Sequence, residues 1–329
     1  MRKILAVLIT LLMVVGLGGC AGKADTTNTK KAEQVNIGII QIVEHPALDS
    51  ARQGFTDFLA ENGYVEGQNL VADYQNAQGE QANLQTIAKK FVQNKSSLVL
   101  AIGTPSAVTM ANETTEIPIL ITAVTDPASA KLVKSNEKPE TNVTGTSDMN
   151  PVADQLKLIK EILPNAKKVG ILYNSSEVNS QVQVDIADQA ASGLGLELVK
   201  VTVTASSEVM QAAQSMVGRV DAIYVPTDNM VVSALAAVLK VAENNKIPVF
   251  GAESNVVESG AVATVGVDYY QLGRMTGEMA IRVLKGEKPQ DMAIQQQTGS
   301  DLVLNLKAAR NMGVAVPEAV IARAKTVIK

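Results

Sequence analysis

The chain has 329 residues, 29 Lys and Arg against 33 Asp and Glu, a formal net charge of -4 and 46% hydrophobic residues. That acidic balance argues against a nucleic-acid partner, and the length suffices for two domains. A single cysteine excludes an intrachain disulfide, and a single histidine excludes a metal cluster built on several imidazoles.

Met1-Arg2-Lys3 precedes an apolar run from Ile4 through Val15 that closes on Leu17-Gly18-Gly19-Cys20. Two positive charges, an apolar core too short to favour a membrane span and small residues at its end read as a secretory signal over 1–20. Leu-Gly-Gly-Cys resembles the bacterial lipobox, which implies that Cys20 becomes the acylated first residue of a lipoprotein anchored to the cell membrane. The polar residues that follow, Gly22 through Lys31, have nothing to bury and make 21–34 a flexible tether. No later segment is long and apolar enough to cross a bilayer, so the body is expected outside the cytoplasmic membrane.

Strands are expected over 35–42, 70–74, 97–102 and 118–122, with helices over 47–62, 81–93 and from near Pro105. These strands are continuous and rich in Ile, Val and Leu, as parallel strands covered on both faces are. A polar break over 138–146 leads to a second series: helices at 151–163, 178–192, 208–217 and 231–244, strands at 168–173, 196–203, 221–225 and 248–250. A strand over 261–267 and a helix over 268–285 follow. The pattern predicts an α/β fold of two Rossmann-like lobes with parallel sheets. Lobe I takes 35–146 and about 268–300, lobe II takes 147–267, and the lobe of 301–329 stays open. If the 268–285 helix packs on the first lobe, the chain crosses repeatedly and forms a hinge.

Enzyme motifs are absent: no Gly-x-Ser-x-Gly elbow, no His-Glu-x-x-His and no phosphate loop occur. No catalytic residue, metal site or cofactor is expected. In open α/β sheets ligands lie beyond the carboxyl ends of the strands. Those ends deliver His45, Thr104, Ser106, Thr125 and Asp126 in the first series, and Ser176, Asn179, Asp228, Asn229 and Glu253 in the second. Each has a plain structural alternative as a cap, a turn or a solvated charge. Together they offer anion donors on one side and acids on the other. A carboxylate suits the helix start after Gly103, with the Thr104 and Ser106 hydroxyls, and an ammonium suits Asp228, Glu253 or Asp126. The combination fits an α-amino acid. With no Trp, four Phe and six Tyr, ring stacking of a sugar is poorly served.

The stretches Gln41-Ile42-Val43-Glu44-His45-Pro46, Gly103-Thr104-Pro105-Ser106-Ala107, Ala123-Val124-Thr125-Asp126-Pro127 and Val225-Pro226-Thr227-Asp228-Asn229, with a tail beginning Asn305-Leu306-Lys307, resemble the ABC transporter substrate-binding lipoproteins of the tryptophan-binding type. The resemblance implies a periplasmic-binding-protein type I fold with three crossings and capture of an aromatic amino acid by hinge closure. It further implies delivery to an ABC permease and ATPase by a monomer tied to the membrane through its lipid. Thr104 and Ser106 would then take the carboxylate, Asp228 the ammonium, and His45 would lie against the side-chain ring. A sensor lipoprotein of the same fold, or a receptor for a branched-chain amino acid or a nucleoside, remains the alternative.

Overall fold

The structure, a computed structural model, describes residues 34–329. The expected signal peptide, Cys20 and all of the tether but Gln34 lie outside the described residues.

The first series alternates β1 (Val35–Gln41), α1 (Pro46–Glu61), β2 (Leu70–Asn76), α2 (Gln81–Gln93), β3 (Leu98–Ile102), α3 (Thr104–Glu113), β4 (Ile119–Val124) and β5 (Val143–Ser147). The second comprises α4 (Val152–Ile162), β6 (Lys168–Asn174), α5 (Val178–Gly193), β7 (Glu197–Val203), α6 (Val209–Ser215), β8 (Ala222–Val225), α7 (Asn229–Ser233), α8 (Leu235–Asn245), β9 (Val249–Gly251), α9 (Ser254–Glu258) and β10 (Ala263–Gly266). The remainder is α10 (Tyr269–Leu284), β11 (Gln295–Gln296), β12 (Asp301–Asn305), α11 (Leu306–Asn311), α12 (Glu318–Ile321) and β13 (Thr326–Ile328).

Two sheets result, ordered β11-β5-β4-β3-β1-β2 and β13-β12-β10-β9-β8-β6-β7. The first is parallel throughout, and the second is parallel except where β10 meets β12. Interior strands such as β3 and β4 are buried at every residue, because helices cover both faces. Each sheet has its own apolar core.

The structure departs from the sequence expectation at Val143–Ser147 and over 231–244, and it places the C-terminal segment whose lobe stayed open. Val143–Ser147, which begins in the supposed polar break and runs one residue past it, is a fully buried strand. Its threonines are satisfied in place: Thr144 Oγ1 donates to Met292 O at 2.7 Å, and Thr146 Oγ1 meets Thr276 Oγ1 at 2.8 Å. The helix expected over 231–244 is two helices, broken at Ala234. The C-terminal segment supplies β12 and β13 to the second sheet, with β12 antiparallel to β10.

The chain passes between the sheets after Ser147, after Gly266 and after Gln296. The crossings are tied to one another. Asn150 Oδ1 accepts from Val267 N at 3.2 Å, Gln297 Oε1 accepts from Asp268 N at 2.9 Å, and Tyr269 Oη donates to Asp148 Oδ2 at 2.6 Å. α10 starts directly after the second crossing and lies hard against α1. A Cβ on Gly54 would fall 2.0 Å from Tyr270 O, and one on Gly273 would fall 1.9 Å from Ala51 O. Arg274 forks onto Glu61 at 3.0 and 2.7 Å beside this contact. Close backbone approach therefore anchors the returning chain to the first lobe.

Gly273→Val is expected to destabilise the fold by about 1–3 kcal/mol or more, since the new atoms have no space. Gly193→Ala, which meets nothing within 4 Å, should leave the melting temperature unchanged or slightly raised. Thermal denaturation of both variants checks the contrast.

Candidate ligand-binding cleft

At the carboxyl end of β3 the chain must turn at once into α3, and Gly103 makes that turn at φ +88°. A side chain there would strain the backbone and press on Ile42, its Cβ lying 2.9 Å from Ile42 Cγ2. The turn delivers Thr104 and Ser106 into the first turn of a ten-residue helix, where backbone N–H groups lack helical acceptors. Neither hydroxyl caps the helix; both are buried, and neither oxygen has a hydrogen-bond partner. Thr125 follows a register shift in β4 at which Ala123, though not glycine, adopts φ +55°. A bulge of this kind re-aims the residue after it. The Thr125 hydroxyl is likewise buried and unpartnered.

The opposite side is built from acids. Asp228 is the N-cap of α7: Oδ1 accepts from Val231 N at 2.8 Å, and Oδ2 accepts from Asn174 N and Ser180 Oγ, both at 2.6 Å. Both oxygens of Asp228, the residue expected to face a ligand ammonium, accept from protein donors. Glu177 Oε2 accepts from Asn179 Nδ2 at 2.9 Å and from Asn229 Nδ2, so two expected site residues orient a third group that sequence reasoning passed over. Asn179 Oδ1 remains buried and unpartnered.

Glu253 differs from Asp228 although both precede a short helix at an N-cap position. Its side chain makes no cap bond, it is 1% exposed, and its Oε2 has no partner. The strand end that carries it is held by Gln155, whose Nε2 donates to Ala252 O at 3.1 Å and Val265 O at 2.7 Å while its Oε1 accepts from Tyr224 Oη at 2.6 Å. Asp148, on the first crossing, is fully buried and has one oxygen on Tyr269 and the other unpartnered. Sequence reasoning missed Asp148, which lies just after the polar break over 138–146 and follows no strand that was expected there.

Four buried carboxyls therefore share this region, and no Lys or Arg is buried among the described residues. Burial pushes Glu253 up to about 8, and the charges of Asp148 and Asp228 add to the effect. Burial, with Asp228 beside it, raises Glu177 to about 7. Burial also raises Asp228, against the donors it accepts from, and raises Asp148 against the Tyr269 hydroxyl. The one buried base, His45, is lowered to about 4 by burial, so it is neutral at pH 7. Among the described residues no three of His, Cys, Asp and Glu converge as metal ligands.

The two sides meet. A Cβ on Gly103 would lie 3.5 Å from Asn229 Oδ1, and one on Gly79 would lie 2.8 Å from Met230 Cε, so the starts of α2 and α3 face the start of α7. A cavity of about 210 Å³ opens at the rim, with Thr104, Pro105 and Val108 on one wall and Ser176, Glu177 and Val178 on the other. Ser176 sits there exposed, outside the buried set. Asp126 also stands apart: it accepts from Ala128 N and Ser129 N, each at 3.1 Å, and from Ser129 Oγ at 2.6 Å, as the cap of a local turn.

Residues 36–328 match the family described as ABC transporter substrate binding protein. The chain is 46% identical over 311 residues to a protein named tyrosine-binding protein from Clostridioides difficile, covering 92% of this chain and 90% of that one. Among solved structures, an ABC domain from Streptococcus pneumoniae in complex with L-Trp is 39% identical with a TM-score of 0.87, covering 90% of this chain and 100% of that one. A ligand-free, open substrate-binding protein from Clostridium difficile is 47% identical, covering 90% and 99%, yet its TM-score is 0.67. Shape thus follows the liganded protein rather than the more identical open one. A family match over nearly all the described residues, on this two-sheet frame with its shared cleft, makes the chain a member of the ABC transporter substrate-binding proteins.

Proposed function

We propose that this substrate-binding protein captures an aromatic α-amino acid between its lobes and presents it to an ABC importer. The observation that carries the reading is the division of unpartnered polar atoms. Hydroxyls of Thr104, Ser106 and Thr125 lie on the first lobe, where a helix start favours negative charge, and carboxyl oxygens of Glu253 and Asp148 lie on the second lobe and the hinge. A zwitterion places its carboxylate at the first set and its ammonium at the second. Of the three acids that suited the ammonium, Glu253 takes the contact that the resemblance implied for Asp228, and Asn179 Oδ1 is a further acceptor on the same lobe. The aromatic side chain is supported by the relatives, one named for tyrosine and one holding L-Trp.

The ammonium is also what closes the cleft. In the closed form burial and the neighbouring acids push Glu253 and Glu177 toward the protonated form, and a cation among them favours the charged form again. A ligand favours the closed form only through such differential contacts. Delivery follows from tethering: Cys20, as an acylated terminus, holds the protein at the outer face of the cell membrane and the polar residues after it give reach. The protein acts as a monomer, without a cofactor.

L-Tyr or L-Trp at a concentration about 100-fold above Kd should stabilise the protein by about 2.7 kcal/mol, read as a thermal shift. A shift with L-Leu or a nucleoside, and none with an aromatic amino acid, would overturn the assignment. Asp228→Ala should destabilise the unliganded fold by about 1–3 kcal/mol through loss of the cap and two further bonds. Glu253→Gln should keep the unliganded fold intact while greatly weakening the ligand shift; the reverse pattern would return the ammonium to Asp228.

The pH dependence has a defined sign. A carboxyl raised from 4.5 to about 8 in the fold makes stability fall as pH rises between those values. His45, lowered from 6.5 to about 4, acts oppositely between those two pH values. Above pH 6.5 the acids outweigh the remaining His45 contribution, so stability should drop by about 2 kcal/mol from pH 6.5 to 8. Glu253→Gln should flatten this slope in urea melts, and a wild-type protein without the slope would contradict the buried-acid picture.

A further inference from the structure

The two ends of the proposed guest meet different surroundings. Glu253 and Asp148, the acids assigned to the ammonium, are 1% and 0% exposed, and neither lines the rim cavity. Thr104, assigned to the carboxylate, does line it. Its hydroxyl belongs to a residue 3% exposed and has no hydrogen-bond partner among the described residues. A guest held in this way has its ammonium end enclosed by protein and its carboxyl end beside an open space.

That space is large enough for a further chemical unit, since its volume of about 210 Å³ is several times the roughly 30 Å³ share of one water. Three helices begin on its wall, α2 at Gln81, α3 at Thr104 and α5 at Val178, and no side chain caps any of them. Uncapped helix starts favour a hydrogen-bond acceptor. Glu113 and Glu177 line the same cavity with no Lys or Arg beside them, so a full negative charge is opposed there. Glu177 Oε1 takes a single long bond, 3.4 Å from Asn174 Nδ2, and has capacity for another donor. The group that meets both conditions is neutral and dipolar, with an acceptor and a donor side by side. A secondary amide has this form: its C=O suits the Thr104 hydroxyl and the helix starts, and its N–H suits Glu177. Such a group reproduces the hydrogen bonds of the water it displaces.

We infer that the rim cavity is a subsite for an amide-linked extension at the guest's carboxyl end, so that the cleft takes short peptides whose first residue is aromatic as well as the free amino acid. This rests on the proposed amino-acid reading and widens its substrate class. An extension at the amino end has no such place, because it would replace the ammonium by a neutral amide against the unpartnered oxygens of Glu253 and Asp148. The terminal carboxylate of a dipeptide reaches the mouth of the cavity, where water solvates it beside the exposed Gln85 and Asn112.

The test uses isomeric dipeptides, measured by calorimetry on the purified full chain: L-Tyr-Gly against Gly-L-Tyr and L-Trp-Gly against Gly-L-Trp, with L-Tyr and L-Trp as parents. In at least one series the peptide with the aromatic residue first should bind about a hundredfold or more tightly than its isomer. Val178→Trp places bulk on one wall of the cavity at a side chain that is 42% exposed, and Val108→Phe does so from the opposite wall. At least one of the two variants should fold with a melting temperature near that of the unmodified chain and lower the affinity for the peptide, relative to its parent amino acid, by about tenfold or more. Isomers that bind within about threefold of each other, no binding of either aromatic-first peptide, or a peptide-to-parent ratio unchanged in both variants would remove this inference while the parents still bind. Failure of every aromatic amino acid to bind would overturn the amino-acid reading as well.

Discussion

A group of buried carboxyls without a buried partner of opposite charge governs this structure. Asp148, Glu177, Asp228 and Glu253 come together where the two lobes meet, and none has a buried Lys or Arg to answer it. Protein donors satisfy some of them: Asp228 is consumed as a helix cap, and Glu177 by two asparagines. Glu253 and Asp148 each keep an unpartnered oxygen. An arrangement of this kind is unfavourable as a structural element, because desolvating a charge is not repaid by repulsive neighbours. The ammonium of the proposed guest would make it favourable.

The position of Asp148 ties this electrostatic demand to the hinge. It lies on the first crossing and accepts from Tyr269, which opens α10 after the second crossing. α10 in turn is locked to α1 by glycines that permit backbone contact. A charge arriving beside Asp148 is therefore felt by the chain segments that must bend for the lobes to part. The contrast in TM-score between the liganded relative and the more identical open one is consistent with lobes that move as units on such a hinge. Population shift then needs only a ligand whose contacts exist in one of the two arrangements.

Much of the fold was readable from apolar continuity. β3 and β4 are runs of Ile, Val and Leu that only a doubly covered sheet accommodates, and both formed where expected. Val143–Ser147 was not readable, because Thr-Gly-Thr-Ser resembles a linker until neighbours at Met292 and Thr276 satisfy its hydroxyls. The site was partly readable for the same kind of reason. Thr104, Ser106 and Thr125 follow strands directly, so their place at the cleft is local. Asp228 and Asp126 carried an identical signal, a carboxylate after a strand, and turned out to be caps. Glu253 has that signal too and makes no cap bond. Spacing cannot separate these outcomes, since each depends on which donors the neighbouring loops bring.

By itself the sequence determined the inventory and its order: two βα series, polar residues at the strand ends, one histidine and one cysteine. These follow from local rules, in which periodicity selects the element and the strand end selects the loop. The tertiary structure decided which of the acids stay unsatisfied, that Asp148 on a crossing joins them, and that His45 is buried. Those are properties of pairs and triples of residues far apart in the chain, and burial, which sets their energies, exists only once both lobes have packed.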